Sequence, residues 1–244
     1  MWNFPKIVAH RGGGNLAPEN TMAAMRCGLS HGFRAVEFDV MLSADGVPVL
    51  MHDPVFGRTV AGEGTVSGST AQALGAMDAG AWFGPAFAGE KVPTFCEVID
   101  FCNDNGIWMD VEIKPAPGFE TQTGHAAATL LKQRMASTGG TPLFSSFSVD
   151  ALRAAKEVAP EIPRGFLIGT IPEGWQAMLE ELGAVALHTN HKHLTPELAK
   201  AVKDAGYGLF CYTVNDPARA RKILSWGVDA FCTDRIDLIG PDFS

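Results

Sequence analysis

Short apolar runs alternate with amphipathic stretches along most of the chain, the pattern of strands followed by helices. "KIVAH" (Lys6 to His10) predicts a first strand, and "PENTMAAMRCGLSHG" predicts a helix opened by Pro18 and closed near Gly32. "AVEFDV" (Ala35 to Val40) and "VPVLMH" (Val47 to His52) predict two strands joined through the turn "SADG". Such a short connection makes that pair antiparallel, because parallel strands need a longer crossover. From Thr94 onward the alternation is regular. Helices are expected at 94–106, 121–137, 149–160, 173–183, 195–206 and 217–227, with strands at 107–114, 142–147, 164–169, 185–190, 209–215 and 230–234.

With "VPVLMH" set aside as a hairpin extension, eight strands remain, each followed by a helix or helical turn. That count predicts a (β/α)₈ TIM barrel, and 244 residues is near the length such barrels have. The open doubly wound sheet is the competing α/β arrangement, but no G-x-G-x-x-G follows the first strand. One segment, at about 53–93, interrupts the rhythm. It is rich in Gly, Ala, Thr and Ser, and too long for an ordinary βα loop. Residues 1–244 are read as one barrel domain carrying this cap-like insertion after the second-strand hairpin. Trp82, Phe83 and Phe87 lie within it and either wall a pocket or pack a small core of the insertion itself.

Composition narrows the class. The 46% hydrophobic content suits a globular core, and the formal net charge of -8 disfavours nucleic-acid binding. Five cysteines, none in C-x-x-C spacing, favour reduced thiols over disulfides or a zinc site. The N-terminal residues show no secretory h-region and no apolar run is long enough to span a membrane, so a cytoplasmic protein without stable membrane association is expected.

In a barrel of this kind the active site lies at the C-terminal ends of the strands. His10-Arg11 end the first strand, Glu37-Phe38-Asp39 lie on the second, and Glu112-Ile113-Lys114 end the one after the insertion. Alternation puts Glu37 and Asp39 on one face, and Glu112 with Lys114 on one face. Taken singly, each set also reads as a solvated strand end or a simple ion pair. Three carboxylates at one barrel mouth repel one another unless a cation lies between them. All-oxygen ligands suit one hard divalent cation, Mg²⁺ or Ca²⁺, with Mn²⁺ also admissible.

The hairpin brings His52 to the same place. A two-residue loop at Asp45-Gly46 sets His52 opposite Asp39, and a four-residue loop from Ser43 to Gly46 sets it opposite Glu37. Asp53 could then orient its ring. His10 and His52 supply an acid–base pair, and Arg11 and Lys114 supply positive charge for phosphate. The set asks for phosphodiester cleavage. Asp110 shares the parity of Glu112 and is expected to partner Lys114 from one layer deeper. Asn20 is a candidate for orienting the site. Gly12 to Gly14 either admit phosphate to backbone N–H groups or form a tight turn. The histidines of "HTNHKH" (188–193) are not expected to converge on a metal, and His188 is a candidate pocket residue.

"AHRGGGNLAPENT", "EFDVMLSADGVPVLMHD", "VEIK", "YTVN" and "GVDAFCTD" together resemble, in order and over nearly the whole chain, the motif series of the glycerophosphodiester phosphodiesterase family, in its compact bacterial form. The resemblance implies a barrel, a divalent metal on Glu37, Asp39 and Glu112, catalytic His10 and His52, and phosphate contacts from Arg11 and Lys114. It implies hydrolysis of a small-molecule glycerophosphodiester to sn-glycerol 3-phosphate and an alcohol, with attack by the glycerol 2-hydroxyl through a cyclic phosphate. Tyr212 stands where the family commonly has Trp, leaving an aromatic wall beside the substrate. The alternatives are a lysophospholipase D-like phosphodiesterase and a non-catalytic barrel that binds glycerophosphate compounds.

Overall fold

The computed structural model describes residues 2–135 and 140–244. Eight parallel strands close into a (β/α)₈ TIM barrel: β1 (Ile7–Ala9), β2 (Ala35–Leu42), β4 (Trp108–Ile113), β5 (Leu143–Ser146), β6 (Arg164–Ile168), β7 (Ala186–Asn190), β8 (Gly208–Tyr212) and β9 (Ala230–Thr233). Closure is made by β1, which pairs with β9 on one side and β2 on the other. The helices α1 (Met22–Ser30), α3 (Phe95–Asp104), α4 (Glu120–Arg134), α5 (Val149–Val158), α6 (Trp175–Leu182), α7 (Pro196–Asp204) and α8 (Pro217–Leu224) alternate with the strands. Residues 136 and 137, the end of the helix predicted at 121–137, lie outside the described residues.

Both faces of the strands are buried, which explains why they read as near-continuous apolar runs. On β2, Val36, Phe38 and Val40 face the helix layer and join its core with Phe95, Val98 and Ile99. The opposite parity points Ala35, Glu37 and Asp39 into the barrel. The lower interior is filled by Val8, Ala35, Trp108, Leu143, Phe210 and Ala230, with Trp2 and Phe4 of the N-terminal segment packed against them. Helix entry is set by local capping. Thr94 and Glu97 form a reciprocal capping box on α3, and Thr21 accepts from Ala24 N–H on α1. The predicted start of α1 at Pro18 is early by four residues. Asn20 takes a left-handed φ of 57° and Thr21 is the N-cap, so Pro18 to Asn20 form a turn over the barrel mouth.

β3 (Pro48–Leu50) runs antiparallel to β2, but in neither expected register. Val40 pairs with Leu50 and Leu42 with Pro48, which leaves a five-residue loop and places His52 level with Phe38. Ser43 causes the difference: its hydroxyl donates to Asp45 and accepts from Val47 N–H, so Val47 belongs to the turn. The strand ends at Leu50, before the ladder could carry His52 to the helix-facing side.

The segment 53–93 contains α2 (Ala71–Ala76) and a 3₁₀ turn at Pro85–Phe87. It packs Val60, Val66, Leu74, Ala79 and Val92 against Met41, Val49 and Met51 of the hairpin. Trp82, Phe83 and Phe87 stack edge-to-face on one another and do not line the central pocket.

Candidate active site

The barrel mouth opens into a cavity of ≈ 210 Å³ that His10, Arg11, Glu37, His52, Glu112, Lys114 and Tyr212 help to line. At its centre the oxygens of Glu37, Asp39 and Glu112 come within 4.8 Å of one another, and all three are at the inner face of β2 or β4. Their registers explain the meeting. β2 and β4 are neighbours, with Asp39 level with Glu112.

The positive groups reach this cluster from two strand ends. Lys114 Nζ donates to Asp39 Oδ1 at 3.1 Å and lies 3.5 Å from Glu112 Oε1. Arg11 takes a left-handed φ of 51°, which aims its backbone N–H at Glu37 Oε2 (3.1 Å) and its Nε at Asp39 Oδ2 (3.4 Å). Asn20 holds Asp39 twice, donating to Oδ2 at 2.8 Å and accepting from its backbone N–H at 3.1 Å.

These contacts divide the carboxylates electrostatically. Burial opposes ionisation of Asp39, but the charges of Lys114, Arg11 and His52 outweigh it and hold the carboxyl well below its usual range. Burial, with Asp39 and Glu112 nearby, raises Glu37 well above its usual value. Burial, with Asp39 beside it, pushes Glu112 up to about 8. Two carboxylates thus remain undercompensated by the chain's own cations. Glu112 Oε1 is also buried and accepts no hydrogen bond. An all-carboxylate set with uncompensated charge fits a hard divalent cation. Among the described residues this is the one such convergence of three or more His, Cys, Asp or Glu side chains.

His10 and His52 are each held at Nδ1 by a carboxylate. His10 Nδ1 is 2.5 Å from Asp234 Oδ1, and its Nε2 is 3.7 Å from Glu37 Oε2. His52 Nδ1 is 2.6 Å from Asp53 Oδ1. Such pairing fixes the ring and leaves Nε2 as the working nitrogen. Burial lowers His52 in spite of the Asp39 charge. Asp234 in turn accepts from Asn215 Nδ2 at 2.8 Å. Asp53 accepts from Arg58 Nε at 2.6 Å, a bond that brings its carboxyl down to about 2.

Arg58, from the insertion, also donates to both oxygens of Glu19, at 2.6 and 2.7 Å, and Glu19 accepts from Arg11 Nη1 at 2.7 Å. A continuous chain of contacts therefore runs Asp39–Arg11–Glu19–Arg58–Asp53–His52. The adjacent residues of "PENT" have separate tasks: Glu19 joins the two arginines, Asn20 holds Asp39, and Thr21 caps α1.

Seven of the eight expected site residues line the cavity, and Asp39 lies just behind its wall, with its carboxylate still within 4.8 Å of Glu37 and Glu112. Tyr212 forms the wall opposite, its hydroxyl donating to Ile168 O at 3.1 Å and its ring edge-to-face with Phe147. Asp110 departs from expectation. It accepts from Ser145 Oγ at 2.7 Å and lies 3.7 Å from His188 Nδ1, not against Lys114. His188 is buried on the pocket floor and stacks on Phe210, while His191 pairs with Arg219 outside. The glycines serve close packing. A Cβ on Gly14 would meet the Asp234 backbone at 2.2 Å, and one on Gly28 would meet Gly12 O at 2.2 Å. Asp234, Asn215 and Arg58 were not singled out for these roles by sequence reasoning.

Fold and pocket define a TIM-barrel enzyme with an acidic triad able to hold a cation, flanked by two carboxylate-held histidines. Residues 10–238 match the Glycerophosphoryl diester phosphodiesterase family. A Caldanaerobacter subterraneus glycerophosphodiester phosphodiesterase is 34% identical over 93% of both chains. The solved structure of an Oleispira antarctica phosphodiesterase in complex with the product sn-glycerol-3-phosphate superposes with a TM-score of 0.90, at 38% identity over 94% of this chain and 93% of that one. A Bacillus subtilis putative glycerophosphodiester phosphodiesterase is 32% identical over 97% of both chains. The chain belongs to this family and is an enzyme of its phosphodiesterase class. No helix among the described residues is long and apolar enough to cross a membrane.

Proposed function

We propose that this chain hydrolyses glycerophosphodiesters to sn-glycerol 3-phosphate and an alcohol, with His10 and His52 as the general acid–base pair. The observation that carries the reading is that two imidazoles, each held at Nδ1 by a carboxylate, border the same three-carboxylate cluster. The product bound in the Oleispira antarctica structure supports the substrate class.

Glu37, Asp39 and Glu112 would hold one divalent cation, Mg²⁺ or Ca²⁺. When bound, it supplies charge neutralisation and polarisation of the phosphoryl oxygens. Arg11 and Lys114 hold the anionic phosphate, being tied down by Glu19 and Asp39 rather than free to swing. Tyr212 walls the substrate side. Nε2 of one histidine takes the proton of the glycerol 2-hydroxyl as its oxygen bonds to phosphorus. Nε2 of the other, protonated, gives its proton to the departing alkoxide as that P–O bond breaks. The product of this step is a cyclic phosphate and an alcohol. Water then opens the ring with the two histidines in exchanged roles, and the protons balance over the cycle.

Release of glycerol 3-phosphate from glycerophosphodiesters, with chelator and with Mg²⁺, Ca²⁺ or Mn²⁺ restored, tests this reading. Release that stops with chelator and returns with a divalent ion is expected. Undiminished release in chelator would remove the cation from the account.

A further inference from the structure

Outside the central cavity, a second cleft of ≈ 320 Å³ opens over the ends of β4 and β5. It shares Glu112, Lys114 and Phe147 with the central cavity and adds Pro115, Pro117, Glu120, Ser146 and Ser148. This cleft is the more open of the two. If the constant glycerophosphate half of a substrate fills the central cavity, the variable alcohol extends into the more open cleft. The inference rests in this on the proposed phosphodiesterase reading.

We propose that this cleft is the leaving-group subsite and that it selects a cationic amino alcohol, of the choline or ethanolamine kind, over a polyol. The polar groups of the cleft are mostly engaged already. Ser146 Oγ donates to Ile113 O at 2.5 Å and accepts from Ser148 N–H at 3.0 Å. Ser148 Oγ caps α5, accepting from Ala151 N–H at 3.1 Å. Lys114 and Glu112 belong to the charged cluster. A glycerol or inositol leaving group therefore finds few free polar partners on the cleft wall, and in so open a cleft its hydroxyls keep their water and gain little by binding.

A quaternary or primary ammonium has the opposite needs: apolar and aromatic surface for its methyl or methylene groups, and one negative charge. Phe147 offers a ring that is 50% exposed, braced edge-to-face by Tyr212 at 5.7 Å. Pro115 and Pro117 add apolar surface. Glu120, in the first turn of α4, supplies the carboxylate and accepts one hydrogen bond, from Gly118 N–H at 3.1 Å. Two groups oppose a cation here, the α4 N-terminus and Lys114. Glu120 offsets the first, and Asp39 with Glu112 pair the second.

The test compares kcat/KM for glycerol 3-phosphate release from glycerophosphocholine, glycerophosphoethanolamine, glycerophosphoglycerol and glycerophosphoinositol, with a divalent ion present. The two amino-alcohol diesters should exceed the two polyol diesters by at least about fivefold, the size of one exposed cation–aromatic or ion-pair contact. Glu120→Gln and Phe147→Leu should each narrow that ratio, the polyol diesters serving as internal reference for general damage. A wild-type ratio below fivefold, or one that neither variant narrows, overturns the subsite. Release from none of the four diesters overturns the phosphodiesterase reading itself, and the subsite with it.

Discussion

His10 Nδ1 lies 2.5 Å from Asp234 Oδ1, so the residue following the first barrel strand is oriented by the residue following the last. Barrel closure makes this pair. Ala9 is level with Thr233, which brings the next residue of each strand together. Asp234→Asn keeps the size of the side chain but removes the charge that holds the ring. It should lower kcat by about 10² or more, the range of general acid–base contributions, while the melting temperature stays close to that of the parent. Steady-state kinetics with a thermal melt checks both. A kcat within twofold of the parent would deny Asp234 this role.

Arg58 is the insertion's tie to the site. It joins Asp53, which holds His52, to Glu19, which holds Arg11. Arg58→Ala should lower kcat by about tenfold or more, because His52 and Arg11 both lose a brace. Arg58→Lys should recover little of it, since an ammonium cannot form the same fork with two carboxylates. Separate kcat and KM values for both variants decide the matter, and a lysine variant as active as the parent contradicts the fork.

Divalent cations should bind with release of protons. Glu112, raised to about 8 by burial and by Asp39, holds a proton at pH 7 in the metal-free chain that a cation must displace, and the raised Glu37 acts in the same sense. Calorimetric titration with Mg²⁺ or Ca²⁺ at pH 7, in buffers of different ionisation enthalpy, should report net proton release. Glu112→Gln should reduce the number released and weaken binding. A buffer-independent heat would contradict the protonated state of the cluster.

The same groups set a pH dependence of stability. Glu112 stands near 8 in the folded chain against an ordinary 4.5, and Asp110 near 7 against 3.8, both raised by burial. Between those values the folded chain binds protons that the unfolded chain has released, so stability falls as pH rises through this window. Each such group contributes up to about 1.4 kcal/mol per pH unit. Asp39, held low, acts in the opposite sense at acid pH, and His188, pushed down to about 3 by burial, acts in the opposite sense below about 6.5. Urea unfolding in chelator should show a declining midpoint from pH 6.5 to 8. Saturating divalent ion should flatten that decline, and a flat profile in chelator would contradict the assignment.

Much of this site was legible because its chemistry lies on strand ends. Glu37, Asp39, Glu112 and Lys114 follow from the period-two alternation of two strands that turn out to be neighbours. The pairing of His10 with Asp234 was also within reach, since a closed barrel must set the last strand beside the first. The hairpin register was not, because one serine side chain decides whether Val47 belongs to the strand or the turn. Arg58 left no periodic signal. Its partners lie 39 residues away at Glu19 and five away at Asp53, and only the folded insertion brings them together. Asp110 was placed on the correct face but given the wrong neighbour, because strand parity does not say whether its carboxyl turns toward Lys114 at the end of its own strand or Ser145 on the adjacent one.

Single-turnover release of glycerol 3-phosphate by His10→Ala and His52→Ala, each confirmed as folded by its melting curve and supplied with divalent ion, is the most direct measurement of the two-histidine account. Both variants should fall by about 10² or more, the scale of a lost general acid or base. Turnover at the parent rate by either one would contradict it.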